Sequence, residues 1–376
     1  MDAKHEGLMH RALRLARRGL GRVEPNPMVG AVLARGGQVL AEGYHHKFGG
    51  PHAEAQALHQ ARQRGIDPAG CDLFVSLEPC CHQGKTPPCT GALIEAGLGR
   101  VFAAMIDPAP TIAGRGIDAL KAAGIRVVVG LCEPQARDLN APYLKRTTTG
   151  LPWVIVKWAQ TLDGRTATAD GHSRWISNPT SRRRVHQLRA RVDAVMVGIG
   201  TALVDDPQLT ARTGRVRRVA RRVVVDPQLR LPHNAVMLQS NDPPVTLAVH
   251  QQIVRDRPAR LVDLESRGVE CVGLPPADDD PPRLNLRPLM RHLVQHHQAT
   301  NVLVEGGATL AGSLFKQGLV DQVLAFVAPK VLGDDAALAA VRGLTCTKIA
   351  DAPALSLWSA TRVEDDVLLD YRVQAH

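Results

Sequence analysis

His52, Cys80 and Cys89 are the residues of this chain best suited to hold a soft divalent cation, and Glu54 stands two places after the histidine. One imidazole and two thiolates suit Zn2+, and the two thiolates cancel its charge. Three protein ligands leave a fourth position for water, which is how a catalytic zinc site is built. The metal lowers the pKa of that water and yields a hydroxide nucleophile near neutrality. A proton carrier that is not a ligand is also needed, and Glu54 can take the water's proton and deliver it to a leaving group. A structural zinc site would want a fourth protein ligand, for which Cys81 and His82 are available. Cys81 adjoins Cys80, and successive side chains rarely face one ion. One zinc per chain on three ligands is therefore the expectation.

The elements that must position these residues are legible from periodicity. Residues 5–19 place Leu8, Ala12, Leu15 and Ala16 on one helical face. Val29–Ala34 and Val39–Gly43 read as two strands around a Gly36-Gly37 turn. Pro51 precedes a helix running towards Arg64, with His52 and Glu54 at its start. Leu73–Leu77 is a strand, and Pro79-Cys80 follows it where another helix could begin. Thr90–Ala96 and Gly116–Ala123 read as helices, Val101–Ile106 and Ile125–Val129 as strands. This alternation predicts an α/β unit with a largely parallel sheet. Residues 131–150 form a helical connector, and the boundary falls at Thr147–Gly150, giving domains 1–147 and 148–376.

The second domain is again α/β. Trp153–Trp158, Ala194–Val197, Arg222–Val225, Val245–Val249, Val302–Val304, Ala325–Val331 and Val367–Val373 read as strands. Pro179–Val192 is a helix with Asn178 as N-cap, and residues 275–286 are a polar loop. Gly198-Ile199-Gly200 follows a strand, but Leu203 stands where a dinucleotide fingerprint would have its third glycine. Val302–Gly312 is the better phosphate candidate. It runs from a buried strand into a helix, and its small residues let backbone N–H groups approach an anion.

The net charge of +10 favours anionic partners such as phosphorylated metabolites. Aromatics make up only 3% and do not interleave with Arg182–Arg184 or Arg217-Arg218, so nucleic acid is not an expected partner. No apolar run reaches the roughly 20 residues of a membrane span, and Met1–Glu6 lacks the features of a signal peptide. Seven cysteines, three of them within ten positions, argue for metal or catalysis in a reducing compartment, the cytoplasm.

His-x-Glu followed by Pro-Cys is the signature of zinc deaminases. Most nucleobase deaminases place two residues between their cysteines, whereas here there are eight. The Gly84–Cys89 ending, Asn26–Gly30, Gly43–His45 and Pro51–Glu54 resemble the deaminase domain of the bifunctional riboflavin-biosynthesis deaminase–reductases. Lys157–Arg165, Asp205–Thr210, Glu305–Gly307 and Ala328–Gly333 resemble the reductase domain of the same family. The resemblance is collinear and spans nearly the whole chain. It implies a cytidine-deaminase-like three-layer domain followed by a dihydrofolate-reductase-like domain. The implied reactions are hydrolytic deamination of 2,5-diamino-6-(5-phosphoribosylamino)pyrimidin-4-one, then reduction of the ribosyl group to ribityl with NADPH.

Residue by residue, the resemblance places Asn26, His45, Ala53, His82, Lys85 and Asp107 around the deaminase substrate. Ala159, Trp175, Thr201, Asp205 and the turn Gly307, Ala308, Thr309, Leu310, Ala311, Gly312, Ser313 match positions that bind NADP. Ser173, Arg189, Leu209, Arg212 and Glu305 match positions that bind the reductase substrate. Both arginines suit a ribose phosphate, since guanidinium groups bond it bidentately. Asp205 is also the candidate to orient the sugar or support proton transfer to the new hydroxyl. The family's Asp-Pro-Asn-Pro appears here as Asp107-Pro108-Ala109-Pro110, so one carboxamide is missing, and Phe48 adds bulk where a small residue is common. A homo-oligomer, dimer or tetramer, is expected. The competing readings are a single-activity deaminase with a non-catalytic C-terminal half, and a nucleic-acid deaminase.

Overall fold

The computed structural model describes residues 3–82, 87–240, 243–278 and 280–374. It divides into two compact units, Met1–Gly150 and Leu151–His376. The first unit runs α1 (Ala3–Ala16), β1 (Gly30–Arg35), β2 (Gln38–Tyr44), α2 (Ala53–Gln63), β3 (Asp72–Val75), α3 (Cys89–Glu95), β4 (Arg100–Ala103), α4 (Arg115–Ala122), β5 (Arg126–Val129), α5 (Glu133–Leu139) and α6 (Ala141–Thr149). The sheet order is β2-β1-β3-β4-β5.

Alternation along the strands builds three layers. Ala31 and Leu33 of β1 face Ala53, Ala57, Leu58 and Ala61 of α2, together with Leu93 and Leu120 of α3 and α4. Val32 and Ala34 face the other way, onto Leu8, Met9 and Ala12 of α1 and Ala136 of α5. The sheet is less parallel than the sequence suggested. β1 is antiparallel to both β2 and β3, and only β3, β4 and β5 run together. The tight β1–β2 turn forces the first antiparallel pair, and α2 then carries the chain back across to β3 on the far side of β1. Gly43 lets α2 lie close on β2, since a Cβ there would stand 2.2 Å from the Ala53 carbonyl oxygen. That contact sets the helix end carrying His52 and Glu54.

The second unit contains β6 (Trp153–Thr161), β7 (Arg165–Ala167), α7 (Pro179–Arg189), β8 (Ala194–Gly198), α8 (Ile199–Asp205), β9 (Arg221–Val225), β10 (Val245–His250), α9 (Gln251–Asp256), α10 (Ala259–Ser266) and β11 (Glu270–Leu274). There follow β12 (Pro276–Ala277), β13 (Asp280–Leu284), α11 (Arg287–His297), β14 (Asn301–Glu305), α12 (Ala308–Lys316), β15 (Gln322–Ala328), β16 (Leu338–Ala339), β17 (Leu355–Val363) and β18 (Asp366–Val373). Nine strands form one sheet, β11-β10-β9-β8-β14-β6-β15-β18-β17. It is parallel from β11 to β15, and β18 and β17 add an antiparallel edge. α11 and α12 cover one face, and α7, α8 and α10 cover the other. Asn178 caps α7 by accepting a hydrogen bond from the Ser181 N–H at 2.8 Å.

Three local expectations are corrected. No helix begins at Pro79-Cys80; the chain stays irregular there, and the helix starts at Cys89. The polar stretch 275–286 holds the short hairpin pair β12–β13 rather than loop alone. The strand after α12 ends at Ala328, short of Val331, and Val331 is exposed.

Candidate active sites

In the first unit, α2 and α3 bring the soft donors together. His52 is the N-cap of α2 and Cys89 the first residue of α3. The His52 Nδ1 lies 3.4 Å from Cys80 Sγ and 3.3 Å from Cys89 Sγ. Zinc–nitrogen and zinc–sulfur bonds of about 2.05 and 2.3 Å put tetrahedral donors about 3.5 Å apart, so this set fits one ion. The Cys89 N–H also donates to Cys80 Sγ at 3.4 Å. Facing each other, the two thiols share one proton: Cys89 and His52 hold Cys80 down to about 4, while Cys80 and burial push the Cys89 thiol up. Such a pair is ready to exchange its protons for a metal. Cys81 turns away, its sulfur 4.0 Å from the Thr111 carbonyl oxygen.

Glu54 sits beside this group in the first turn of α2. It is 3% exposed, and its Oε2 has no hydrogen-bond partner among the described residues. Burial first, then the charge on Cys80, pushes its carboxyl up to about 7. A bound cation would act in the opposite direction. An orphaned carboxylate oxygen next to three metal donors is what a proton carrier for a bound water requires.

A cavity of about 320 Å3 opens over these groups, lined also by Asn26, His45, His82, Asp107, Ala109 and Tyr143, with Phe48 among its further lining residues. His45 bonds the Pro51 carbonyl oxygen through Nδ1 at 3.0 Å, and Asn26 Nδ2 lies 3.3 Å from its Nε2. Burial lowers the His45 pKa, which favours a neutral ring that donates to Pro51 and accepts from Asn26. Ala53 is fully buried behind His52. Asp107 Oδ1 is already engaged, accepting from Tyr143 Oη and from the Ala109 N–H, both at 2.8 Å. Ala109 packs near Cys80, Cys89 and Ile112. Lys85 lies outside the described residues.

Two residues of this site escape a sequence reading. Glu78 accepts from the backbone N–H groups of Asp107, Gly114, Gly116 and Ile117 at 2.9–3.3 Å, and so holds the loop that carries Ala109 and Ile112. Tyr143 comes from the connector helix α6. Glu78 stands beside the Pro-Cys motif and reads as part of it, and nothing local marks Tyr143.

In the second unit, β14 ends at Glu305 and Gly306-Gly307 open α12 with φ of 101° and 89°, backbone that glycine alone adopts readily. A Cβ on Gly306 would lie 3.2 Å from Thr201 Oγ1, so the helix start and Thr201 are neighbours. The structure separates the seven positions of this turn. Gly307, Ala308 and Thr309 are accessible, whereas Leu310, Ala311, Gly312 and Ser313 are buried. A Cβ on Gly312 would fall 1.9 Å from the Arg342 carbonyl oxygen, and Ser313 Oγ accepts from Arg283 at 3.3 Å.

Glu305 forms the centre of a second polar cluster. Arg189 Nε and Nη2 donate to its two oxygens at 2.6 and 2.9 Å. Lys157 stands opposite it on β6. Burial would raise the Glu305 carboxyl, but Arg189 and then Lys157 outweigh it and hold it below the usual range. Burial lowers Lys157, against the pull of Glu305. His186 joins the group, its Nδ1 3.3 Å from the Arg212 N–H, and its pKa is lowered by burial and both arginines. From sequence, Lys157 is only the first residue of the Lys157–Arg165 motif, with no role of its own, and His186 is not singled out.

Other expected positions lie differently. Leu209 has a φ of 57° and buries its side chain, leaving only its backbone to meet a ligand. Asp205 pairs with Arg174 at 3.2 Å, next to the exposed Trp175, whose ring lies 4.4 Å from the Arg182 guanidinium. Ser173 is on the same segment, and Ala159 lies on β6 across from Phe326.

A three-layer α/β unit carrying His, Cys, Cys and a buried glutamate is of the zinc-deaminase class. The comparisons with known proteins agree. Residues 2–105 match the cytidine and deoxycytidylate deaminase zinc-binding region, and residues 152–369 match the RibD C-terminal domain. The riboflavin biosynthesis protein RibD of Escherichia coli is 41% identical over 97% of this chain and 98% of its own length. That of Aquifex aeolicus is 39% identical over 87% of each. Among solved structures, RibD of Acinetobacter baumannii superposes with a TM-score of 0.85 at 35% identity, and 99% of each chain is covered. A deaminase/reductase of Thermotoga maritima gives 0.84 at 33%, again over 99% of each. The chain belongs to the RibD family of riboflavin biosynthesis proteins. It is a bifunctional enzyme with a cytidine-deaminase-like N-terminal domain and a RibD-type reductase C-terminal domain. No helix among the described residues is long and apolar enough to cross a membrane.

Proposed function

We propose that the first unit deaminates 2,5-diamino-6-(5-phosphoribosylamino)pyrimidin-4-one and that the second reduces the ribosyl group of the product with NADPH. The Thermotoga maritima relative is named as diaminohydroxyphosphoribosylaminopyrimidine deaminase and 5-amino-6-(5-phosphoribosylamino)uracil reductase, which supports this substrate class. The observation that carries the reading is the unpartnered Oε2 of Glu54 beside His52, Cys80 and Cys89. Those three residues would hold one zinc, which supplies a water acidic enough to ionise near neutrality. Glu54 would take one proton from the attacking water and pass it to the ring nitrogen, then take the second proton from the hydroxyl added to the ring carbon and give it to the amino group, which departs as ammonia. Asn26, neutral His45 and His82 orient the pyrimidine, and Lys85 meets the phosphate.

In the second unit, Gly307–Thr309 with Thr201 receive a cofactor phosphate, and Trp175, Ala159 and Asp205 complete the cofactor side. NADPH supplies the hydride to the open-chain carbonyl carbon of the sugar. The resulting alkoxide needs a proton. Lys157, half-buried opposite Glu305, is better placed to give it than Asp205, whose carboxylate is committed to Arg174. Glu305 holds Lys157 and the sugar hydroxyls in register, Ser173 and the Leu209 backbone flank the sugar, and Arg212 receives the phosphate.

An odd total of seven cysteines, three of them within ten positions, supports a reducing, cytoplasmic setting. Exposed Leu355, Leu357 and Trp358 on the edge strand β17 support a homo-oligomer. Zinc analysis of the purified chain tests the first half: about one ion per chain, lost together with deamination in Cys89→Ser, is the expected result. Undiminished zinc in that variant would make Cys81 or His82 the ligand instead.

A further inference from the structure

We propose that Glu270, His292 and His297 form a second metal site, for a divalent transition ion that prefers nitrogen and oxygen donors, and that the bound ion staples strand β11 to helix α11. The three side chains come from separate turns of the chain. Glu270 opens β11, which is the edge of the nine-stranded sheet and, among the described residues, pairs with β10 alone. His292 and His297 lie on the last turns of α11.

Their donor atoms converge. The Glu270 Oε1 lies 2.8 Å from His292 Nε2 and 3.1 Å from His297 Nε2. Metal–nitrogen and metal–oxygen bonds of about 2.0–2.2 Å separate neighbouring donors on one ion by about 2.8–3.1 Å at octahedral angles and about 3.3–3.6 Å at tetrahedral ones. The nitrogen–oxygen edges are therefore already close to the length that coordination demands. The deaminase donors show the same closeness, at 3.3–3.4 Å between imidazole nitrogen and sulfur. The ligand atoms of the Glu270 group all lie within 4.8 Å of one another, and each residue is partly exposed, so an ion can enter from solvent.

The other carboxylate oxygen is held from behind. Glu270 Oε2 accepts from Thr246 Oγ1 at 2.8 Å and from Arg221 Nη1 at 3.1 Å. Arg221 in turn donates to Thr246 Oγ1 at 2.9 Å. Hydrogen bonds of this kind orient a ligating carboxylate. Oε2 also lies 2.9 Å from His297 Nε2, so His297 meets both carboxylate oxygens while Oε1 faces His292. Arg221 also adds a positive charge that weakens the attraction for a cation, so the site is weaker than the thiolate site of the first unit. Two imidazoles and one carboxylate select zinc, cobalt, nickel or copper over calcium or magnesium.

Titration of Co2+ into the full chain, already loaded with zinc at the deaminase site, tests the proposal. One equivalent of Co2+ should bind beside the zinc, without thiolate-to-cobalt charge-transfer absorption, since no sulfur is among the donors. It should raise the melting temperature, because an ion bound only by the folded state stabilises it by mass action. His292→Ala and His297→Ala should each weaken this binding by about 10-fold or more while retaining the first zinc. Should either variant fold poorly, protection of His292 and His297 in the unaltered chain from diethylpyrocarbonate by Co2+ gives the same answer. No Co2+ bound beside the zinc, undiminished binding in both variants, or equal modification of both histidines with and without Co2+ would overturn the proposal.

Discussion

Arg189 and Glu305 are locked together by two hydrogen bonds of 2.6 and 2.9 Å, with only 13% and 7% of their side chains exposed. The guanidinium fork is thus spent on a protein carboxylate. Of the two arginines expected at the reductase substrate, Arg212 alone keeps an exposed side chain, held by a weak 3.4 Å contact to Gln208. Arg212→Ala should raise the reductase KM for the phosphorylated substrate strongly, leave NADPH binding nearly unchanged and spare deamination. Equal weakening of NADPH binding would place Arg212 on the cofactor instead.

Arg189→Ala should behave differently. Removing one partner of a buried pair leaves an uncompensated charge and costs on the order of 3–5 kcal/mol. Denaturant unfolding of the second unit should show that loss, whereas Arg212→Ala should unfold like the parent. A neutral Arg189→Ala would mean that Glu305 takes up a proton or finds Lys157 at no cost.

Lys157 predicts a pH dependence. A proton donor must be protonated, so reduction should fall as pH rises through its pKa. Burial holds that pKa below the ordinary lysine range, so the alkaline limb should begin below 10.5. Lys157→Met should lower kcat by about 10² and abolish that limb. A pH–rate profile of the variant with the limb intact would assign it to another group.

Glu54→Gln should keep zinc and lose deamination by a factor on the order of 10² or more, because the acid–base transfer disappears. The reductase should be untouched when supplied with deaminated substrate. A near-normal deamination rate would remove Glu54 from the mechanism.

Ala109→Asn should tighten the apparent affinity of the deaminase substrate by about 0.5–3 kcal/mol, the value of one restored hydrogen bond. Ala109 lines the cavity, and its N–H is fixed by Asp107, so a carboxamide there has a defined origin. Unchanged or weaker affinity would show that the contact with Ile112 has remade the pocket.

The readable parts of this molecule are those carried by short-range pattern. The β1–β2 turn, the start of α2 and the spacing of His52, Glu54, Cys80 and Cys89 follow from adjacent residues and their periods. What stayed hidden depends on distant chain. β1 pairs antiparallel with β3 across a whole helix, and the Glu78 carboxylate is claimed by N–H groups 29 to 39 residues away. Lys157 joins the reductase cluster only because β6 and β14 are neighbours, which sets it opposite Glu305 from far away in sequence. β17 has no alternation to reveal it, since most of its residues on both faces are exposed.

The product formed from the diaminopyrimidine phosphate, with and without NADPH, tests the whole account most directly. Without NADPH, the unaltered chain should release one ammonia and stop at 5-amino-6-(5-phosphoribosylamino)uracil. With NADPH, the same chain should carry the material on to the ribityl compound and oxidise one NADPH for each molecule reduced. Ammonia release with no NADPH oxidation, even when the aminouracil is supplied directly, would contradict the assignment of a working reductase to the second unit.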